Sequence, residues 1–380
     1  MRSILPVTTF WVVALLPLQI LVAQAAEPSK VLKRVSVEGK SLDVVQIAEI
    51  KDVVWGFDFL SPDRLIFTQR NGKIFIQDLR QNSLSEVQGA PAVFHQGQGG
   101  LLDVRAHPSF KTNSLVYLTY SQPQPNDEAA TALAVAKLES NALKDLKVLF
   151  TANNVNSNSI HFGSRIEFRK ESDGKTYLYM TLGERNERHS AQKLDSHAGK
   201  IIRLNLDGSV PKGNPFGASA VWSMGHRNPQ GLALHPETHE LWSAEFGPRG
   251  GDEINLIQKG ANYGWPVVTY GREYWGPSIG EGFTKPGMVD SIVHYVPSIS
   301  PSGIAFYSGK LISDWKNDLF IACLSGTHLR KVTLKNNQAV QQTEILSGEG
   351  WRFREVREGP DGFIYFSTDL GLIARLQPVK

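Results

Sequence analysis

Short runs of apolar, β-branched and aromatic residues recur along the chain, and each run follows a polar turn. The turns contain Pro, Asp, Asn or Gly, and the runs of about five residues end at small or polar residues, which is typical of β-strands. Residues 129–146 come closest to a long helical period, and no other segment beyond the N-terminal region approaches one. The pattern predicts an all-β fold.

Six of these turn-and-strand units can be aligned; they begin at Ser61, His107, Ser172, His235, Trp315 and Gly359. Their spacings of roughly 40 to 80 residues suit propeller blades of about 40 to 50 residues with inserted loops. A single four-stranded blade cannot cover both of its faces, whereas blades stacked around an axis cover one another. We therefore predict one six-bladed β-propeller of four-stranded antiparallel blades over residues 26–380. A hairpin-rich sandwich is the alternative.

A doubly wound nucleotide-binding fold is disfavoured. Residues 97–100 read Gly-Gln-Gly-Gly, which lacks the G-x-G-x-x-G spacing, and no alternation of strands and helices surrounds them. The charges are nearly balanced, with 40 Lys and Arg against 37 Asp and Glu. With no basic run, the chain is not expected to bind nucleic acid.

The N-terminal residues have the layout of a secretory signal peptide. Arg2 supplies a short basic start, residues 10–22 are mostly apolar, and Ala23-Gln24-Ala25 fits a small-x-small cleavage site. A membrane anchor is the alternative, but Pro17 and Gln19 interrupt a run that is already short for a bilayer. We predict a signal peptide over residues 1–25, export to a bacterial periplasm and no stable membrane insertion after cleavage. Because Cys323 is the only cysteine, no intramolecular disulfide can form.

Common catalytic signatures are missing from the sequence, but His161 lies in a favourable context. It follows a polar loop and precedes a predicted strand over residues 164–168, so it would lie at the entrance of a blade. General base catalysis needs a group that accepts a proton near neutral pH, and imidazole has a suitable pKa. Glu184, at the end of the next predicted strand, could orient the ring. For most other histidines a structural or surface role is the simpler interpretation.

Four further residues could hold or polarise an anionic ligand. The guanidinium of Arg227 can stabilise negative charge that develops on a ligand oxygen, and Asn228 can hold an acceptor in register. Arg352 and Arg354 lie two apart in an extended stretch, so both point to one face while Phe353 points to the other. Paired guanidinium groups match carboxylates well. Structural arginines bonded to carbonyls or exposed on a strand are the alternatives.

The segment 247–253 (Gly-Pro-Arg-Gly-Gly-Asp-Glu) is too rich in glycine for a strand or a helix. Such a loop exposes carbonyl oxygens, and Pro248 has a carbonyl but no N–H group. Calcium accepts backbone carbonyls as ligands, although nothing here matches an EF-hand loop. The loop is a candidate calcium site.

Five blocks carry a family resemblance in their order along the chain; they are residues 97–104, 161–168, 199–216, 225–233 and 261–271. With them the chain resembles the soluble quinoprotein sugar dehydrogenases, in particular the aldose sugar dehydrogenase branch of the glucose/sorbosone dehydrogenase family. The likeness covers roughly residues 54–376. It implies oxidation of aldoses at the anomeric carbon to lactones, with pyrroloquinoline quinone (PQQ) and Ca²⁺ as cofactors and an external electron acceptor.

The resemblance also implies roles for individual residues. His161 would be the proton acceptor, paired with Glu184. The implied PQQ contacts are Gln98, Arg227, Asn228, Tyr274, Arg352 and Arg354. The carbonyls of Gly247 and Pro248 would hold a calcium ion against the quinone, and those of Glu253 and Tyr263 a second, structural calcium ion.

One position departs from the family pattern. Where the family usually places a lysine that binds a PQQ carboxylate, this chain has Ser325, and Lys331 lies too far along to replace it simply. Loss of a charge-assisted hydrogen bond costs about 1.5 to 3 kcal/mol, which is roughly ten- to a hundredfold in affinity. A calcium-dependent propeller lactonase and a propeller binding module without cofactor therefore stay open as alternatives. The sequence is compatible with a monomer or a homodimer.

Overall fold

The computed structural model describes residues 30–379. Two N-terminal strands, β1 (Val31–Val37) and β2 (Lys40–Glu49), precede the repeats. Blade 1 consists of β3 (Val54–Ser61), β4 (Arg64–Gln69), β5 (Ile74–Asp78) and β6 (Ser83–Val87). Blade 2 consists of β7 (Leu101–Ala106), β8 (Leu115–Gln124), β9 (Glu128–Glu139) and β10 (Ala142–Thr151). Blade 3 consists of β11 (Ile166–Lys170), β12 (Thr176–Leu182), β13 (Lys200–Leu204) and β14 (Val221–Met224).

Blade 4 consists of β15 (Pro229–Leu234), β16 (Leu241–Glu245), β17 (Asp252–Ile257) and β18 (Val293–Tyr295). Blade 5 consists of β19 (Pro301–Phe306), β20 (Leu319–Cys323), β21 (His328–Lys335) and β22 (Gln338–Ile345). Blade 6 contains β23 (Phe353–Glu358), β24 (Ile364–Thr368) and β25 (Leu372–Pro378), with β2 and β1. The helices are short: α1 (Phe110–Asn113) and the 3₁₀ turns Pro125–Asp127, Arg188–Gln192 and Ser313–Trp315.

The predicted six-bladed propeller is confirmed, and each aligned unit corresponds to the same strand of its blade. The six units supply β4, β8, β12, β16, β20 and β24, the second strand of every blade. Residues 129–146, the nearest approach to a helical period, instead form most of β9 and the beginning of β10.

Blade 6 closes the ring by combining both ends of the described chain. Strand β2 pairs antiparallel with β25, for example at Val44 and Leu376. Strand β1 then pairs with the outer side of β2, so this blade has five strands instead of the predicted four. Closure of this kind ties the beginning and the end of the described chain into one sheet.

One apolar cluster fills each interface between neighbouring blades. Each cluster combines side chains from two blades, as in the pairs Ile66 with Leu118, Leu133 with Leu178, Tyr179 with Leu241, Trp242 with Ile321, Phe320 with Phe366, and Phe67 with Tyr365. These residues are all essentially buried. The hydrophobic core is therefore a ring of interfaces, and the axis is left for polar groups.

Charged side chains of the first strands meet at that axis. Arg165, which precedes β11, bonds the carboxylates of Asp103 in β7 and Glu355 in β23, and all three are at most 1% exposed. Gly303 in β19 makes room for Glu355, since a Cβ there would lie 2.4 Å from its Oε1 atom. The ion pairs connect blades 2, 3 and 6 across the ring.

The predicted signal peptide lies outside the described residues. Among residues 30–379, no helix has the length and apolar character needed to cross a membrane.

Candidate active site

His161 lies at the upper face of the ring, defined as the end where the first strand of each blade begins and the second ends. His161 is 6% exposed as a residue. The imidazole Nδ1 lies 2.7 Å from Oε1 of Glu184, which follows β12. The His161 backbone N–H donates to Oε1 of Gln98, 2.8 Å away, in the loop before β7. The structure thus joins His161 to Glu184 through its ring and to Gln98 through its backbone.

The backbone around His161 is held in an unusual conformation. His161 has φ of 57°, a left-handed value that is uncommon for residues other than glycine. Gly183 packs against it so closely that a Cβ would lie 2.0 Å from the His161 carbonyl oxygen. Such local strain is frequent at functional sites, where the surrounding structure maintains it.

Burial sets the protonation of His161. Removal from water lowers the pKa of the imidazole below its usual range, because the charged form loses hydration. The hydrogen bond and charge of Glu184 raise the pKa, while the positive charges of Arg227 and Arg185 lower it. The net direction is downward, so the ring is neutral at neutral pH. Glu184 Oε1 accepts from Nδ1–H, which leaves the Nε2 lone pair as the acceptor.

Asn228 and Arg227 lie beside this group in the turn before β15. The Asn228 Oδ1 atom accepts the Gly163 N–H at 3.1 Å, while its buried Nδ2 has no hydrogen-bond partner within the described residues. Arg227 Nη1 donates to the carbonyls of Phe246 and Gly247 at 3.2 and 2.8 Å. A spare buried amide donor is costly unless a ligand satisfies it, so this observation fits an oxygen-bearing ligand.

A cavity of about 200 Å³ opens at the upper face beside these residues. For brevity it is called the axial cavity; it is lined by Val53, Trp55, Arg70, Gln98, Gln230, Phe246, Leu324, Arg352, Arg354 and Asp369. Gln98 connects it to His161, and Phe246 connects it to a small adjoining cavity beside Arg227. Trp55 forms part of its wall, with the buried Arg165 guanidinium 4.3 Å from the ring centre.

Arg352 and Arg354 face the axial cavity together, and Phe353 between them is fully buried. Both guanidinium groups bond Asp369, with nitrogen–oxygen distances of 3.1 Å for Arg352 and 2.9 and 3.1 Å for Arg354. Arg354 also donates to the side-chain oxygen of Gln230 at 2.9 Å. The paired arginines therefore share a carboxylate partner that the sequence analysis did not identify.

Four residues that line the axial cavity were not assigned a role from the sequence. The aligned repeats nevertheless contain a signal for them. Each immediately follows the second strand of its blade: Arg70 after β4, Phe246 after β16, Leu324 after β20 and Asp369 after β24. Because second strands end at the upper face, equivalent positions in the aligned units converge on the axis. Gln230, near the start of first strand β15, follows from the same geometry.

The residues predicted to hold calcium lie on the neighbouring side of blade 4. The Gly247 carbonyl already accepts from Arg227, and Pro248 packs against Gly271. Glu253 and Tyr263 both border a second small cavity. Burial, followed by the negative charge of Glu245, raises the pKa of Glu253. In residues 30–379 no group of three or more His, Cys, Asp or Glu side chains is arranged for metal binding.

Three predicted PQQ contacts do not line the axial cavity; they are Arg227, Asn228 and Tyr274. Tyr274 is 66% exposed on the loop between β17 and β18 and does not line the cavity. Ser325 follows Leu324 and bonds the Ser300 hydroxyl at 2.8 Å. Lys331 is buried in blade 5, where it pairs with Asp318 at 2.6 Å, and so cannot supply the charge that Ser325 lacks.

A larger cavity, of about 890 Å³, lies between blades 3 and 4 at the opposite, lower face. Its lining includes Arg169, Trp222 and Lys259 but none of the predicted site residues. The axial cavity is therefore the better candidate for the chemistry, despite its smaller volume.

Comparisons with known proteins identify the family of the chain. The sequence profile of the glucose/sorbosone dehydrogenase family matches residues 51–375. Aldose sugar dehydrogenase YliI of Escherichia coli is 38% identical over 87% of this chain and 90% of its own length. Quinoprotein glucose dehydrogenase B of Acinetobacter calcoaceticus is 27% identical over 83% and 82%, respectively. The solved PQQ-bound aldose sugar dehydrogenase of Streptomyces coelicolor superposes with a TM-score of 0.74 at 27% identity, over 93% of this chain and 99% of that one.

Proposed function

The chain belongs to the glucose/sorbosone dehydrogenase family, and from this premise we propose that it is a PQQ-dependent aldose sugar dehydrogenase. The substrate class is an aldose, oxidised at the anomeric carbon to a lactone, and an external acceptor takes the electrons. The observation that carries the proposal is the link through Gln98 between the buried His161–Glu184 pair and the arginine-lined axial cavity.

In this proposal His161 is the catalytic base. Its neutral imidazole donates Nδ1–H to Glu184 and keeps Nε2 free to take the proton of the anomeric hydroxyl. Glu184 holds the ring in that tautomer and stabilises the imidazolium that forms. The Gly183 contact maintains the left-handed backbone that presents the ring.

The cofactor-binding part of the proposal uses the remaining predicted residues. Arg352 and Arg354 hold PQQ carboxylates, Asn228 offers its unused Nδ2 donor, and Gln98, Arg227 and Tyr274 complete the predicted contacts. When bound, PQQ accepts the hydride of the anomeric carbon, and calcium assists as a Lewis acid.

Calcium would be held by carbonyl oxygens of Gly247 and Pro248, with a second ion at Glu253 and Tyr263. Hard carbonyl oxygens suit calcium, and the Gly247 oxygen already faces a cation, the Arg227 guanidinium. Calcium at this oxygen would compete with Arg227 for the same lone pairs. We also propose export through the predicted signal peptide over residues 1–25, with function in the periplasm.

A matched pair of histidine variants tests the function. His161 and His239 have nearly equal left-handed φ values of 57° and 56°, and asparagine tolerates that conformation. His161→Asn should therefore keep the backbone while removing the base, and His239→Asn, in an exposed turn, is the control. With PQQ, calcium and an aldose such as glucose, dye reduction should fall about 100- to 10,000-fold in His161→Asn only.

The same preparation separates the alternatives. Dye reduction by the wild-type protein that depends on PQQ supports the proposal. Lactone hydrolysis without PQQ would instead indicate a hydrolase, and absence of both activities together with absence of PQQ binding would indicate a binding module.

A further inference from the structure

The axial cavity contains more positive than negative charge. Arg70, Arg352 and Arg354 line it together with a single carboxylate, that of Asp369. Asp369 is shared by Arg352 and Arg354, so these two guanidinium groups already have a partner. PQQ carries three carboxylates, and a site for it needs cations beyond a neutralised pair.

Arg70 is the lining arginine that is not paired in this way. Within residues 30–379, no carboxylate oxygen lies within 4.0 Å of its guanidinium nitrogens. Its Nη1 group donates to the Gly97 carbonyl, next to Gln98, and its buried Nε has no hydrogen-bond partner in the same part of the chain. A guanidinium with an unused buried N–H is poised for a charged acceptor.

The backbone of Arg70 is fixed on both sides. Its N–H donates to the Val53 carbonyl at 3.1 Å, and its carbonyl accepts from Leu101 at 3.1 Å. Gly100 allows this approach, because a Cβ there would lie 1.9 Å from the Arg70 oxygen. Arg70 is thus held at the junction of blades 1 and 2, in the position equivalent to Asp369 in blade 6. A preorganised cation loses less conformational entropy on binding.

We propose that Arg70 binds a carboxylate of PQQ and supplies the positive charge that Ser325 does not provide. The inference rests on the proposed function, since it concerns the same cofactor. Ser325 is uncharged and bonded to Ser300, and Lys331 is committed to Asp318. Leu324, the neighbour of Ser325, borders the same axial cavity as Arg70, so charge at either position would act on one ligand.

The test measures the dissociation constant of PQQ in calcium buffer by quenching of tryptophan fluorescence, without turnover. Arg70→Gln should weaken PQQ binding roughly ten- to a hundredfold, the effect of one charge-assisted contact. Arg70→Lys should lie between Arg70→Gln and wild type. Arg64→Gln, at the exposed start of the same strand β4, is the matched control and should bind as wild type does.

A second variant distinguishes the loss of positive charge at Arg70 from an effect of the substitution on folding. Ser325→Lys in the Arg70→Gln background should recover most of the lost affinity, because it restores a cation to the cavity. PQQ trimethyl ester, which lacks the negative charges, should bind wild type and Arg70→Gln equally.

Wild-type affinity in Arg70→Gln would overturn the inference and leave the proposed function intact. Weakened binding that Ser325→Lys does not recover would also overturn it, because Arg70 would then act on structure alone. Failure of the wild-type protein to bind PQQ would instead overturn the proposed function itself.

Discussion

The His161 imidazole is subject to opposing electrostatic influences. Burial and the nearby arginines disfavour its charged form, whereas Glu184 favours it. Since the net pKa lies below the usual value, the neutral base persists into mildly acidic solution. Activity that depends on this base should be full above that pKa and should fall as the pH drops through it.

Glu184→Gln tests this balance. Removal of the carboxylate removes the influence that raises the His161 pKa, so the acid limb of kcat/KM should move to lower pH. The rate on the plateau should nevertheless fall about 100- to 10,000-fold, because the amide neither fixes the tautomer nor stabilises the imidazolium. The measurement is a pH profile of dye reduction with PQQ and calcium.

Glu187→Gln is the control, since that carboxylate bonds Asn156 at 2.8 Å and does not contact His161. It should leave both the plateau and the acid limb unchanged. An unaltered plateau and acid limb in Glu184→Gln would show that the carboxylate does not act on the base.

At the scale of elements, the first strands meet through buried ion pairs instead of apolar side chains. Each carboxylate of Asp103 and Glu355 lies against the Arg165 guanidinium, and Arg357 Nη2 approaches Glu355 at 3.6 Å. Desolvation is the largest influence on Glu355 and raises its pKa, while the Arg165 and Arg357 charges lower it. Buried charges of this kind depend on their partners, because an unpaired member remains without hydration.

Glu355→Gln should therefore lower the free energy of unfolding by about 3 to 5 kcal/mol, since it leaves Arg165 with one carboxylate less. Urea denaturation followed by tryptophan fluorescence measures the change. Glu344→Gln is the control; that residue pairs with Arg330 on the surface at 48% side-chain exposure, and its loss should cost less than about 1 kcal/mol. Equal stability of the two variants would contradict a structural role for the axial network.

The elements that could be predicted from the sequence are those with a local signal. The second strand of every blade was predicted because a turn with Pro, Asp, Asn or Gly precedes a short apolar run. Strand β1 was not predicted, because its burial pattern alternates weakly and its pairing with β2 at the outer edge has no separate signature. Strands β9 and β10 were hard to predict because this segment is rich in alanine. Alanine suits helices as well as the crowded interface between blades.

The same distinction applies to the residues of the candidate site. The proximity of His161 and Glu184 was predicted, because both end up at the upper face of one blade. Asp369 was not, because its pairing with Arg352 and Arg354 depends on how two strands of blade 6 converge. Single residues at strand ends carry little signal alone, and only alignment of all six units shows which of them share the axis.

At the scale of the whole molecule, stability and ligand binding both depend on how the ring is closed. Strand β2, near the N-terminus, completes blade 6, which also carries Arg352, Arg354 and Asp369. Blade 6 packs on blade 5 and on blade 1 through two separate apolar clusters. Release of β2 would therefore expose a sheet edge and weaken both interfaces, so we expect the ring to unfold cooperatively.

Val44→Asp tests this coupling, because Val44 is fully buried in β2 within the cluster between blades 5 and 6. An unpaired buried carboxylate there should cost about 4 kcal/mol or more. Gln46→Asp, at a partly exposed position of the same strand, should cost less than about 1 kcal/mol. When wild type and Val44→Asp are heated, each protein should lose PQQ binding and its far-ultraviolet circular dichroism signal at the same temperature. That temperature should be lower in Val44→Asp. Loss of PQQ binding well below the unfolding temperature would mean that blade 6 opens alone, and that closure protects the arginines of the cavity without controlling the rest of the ring.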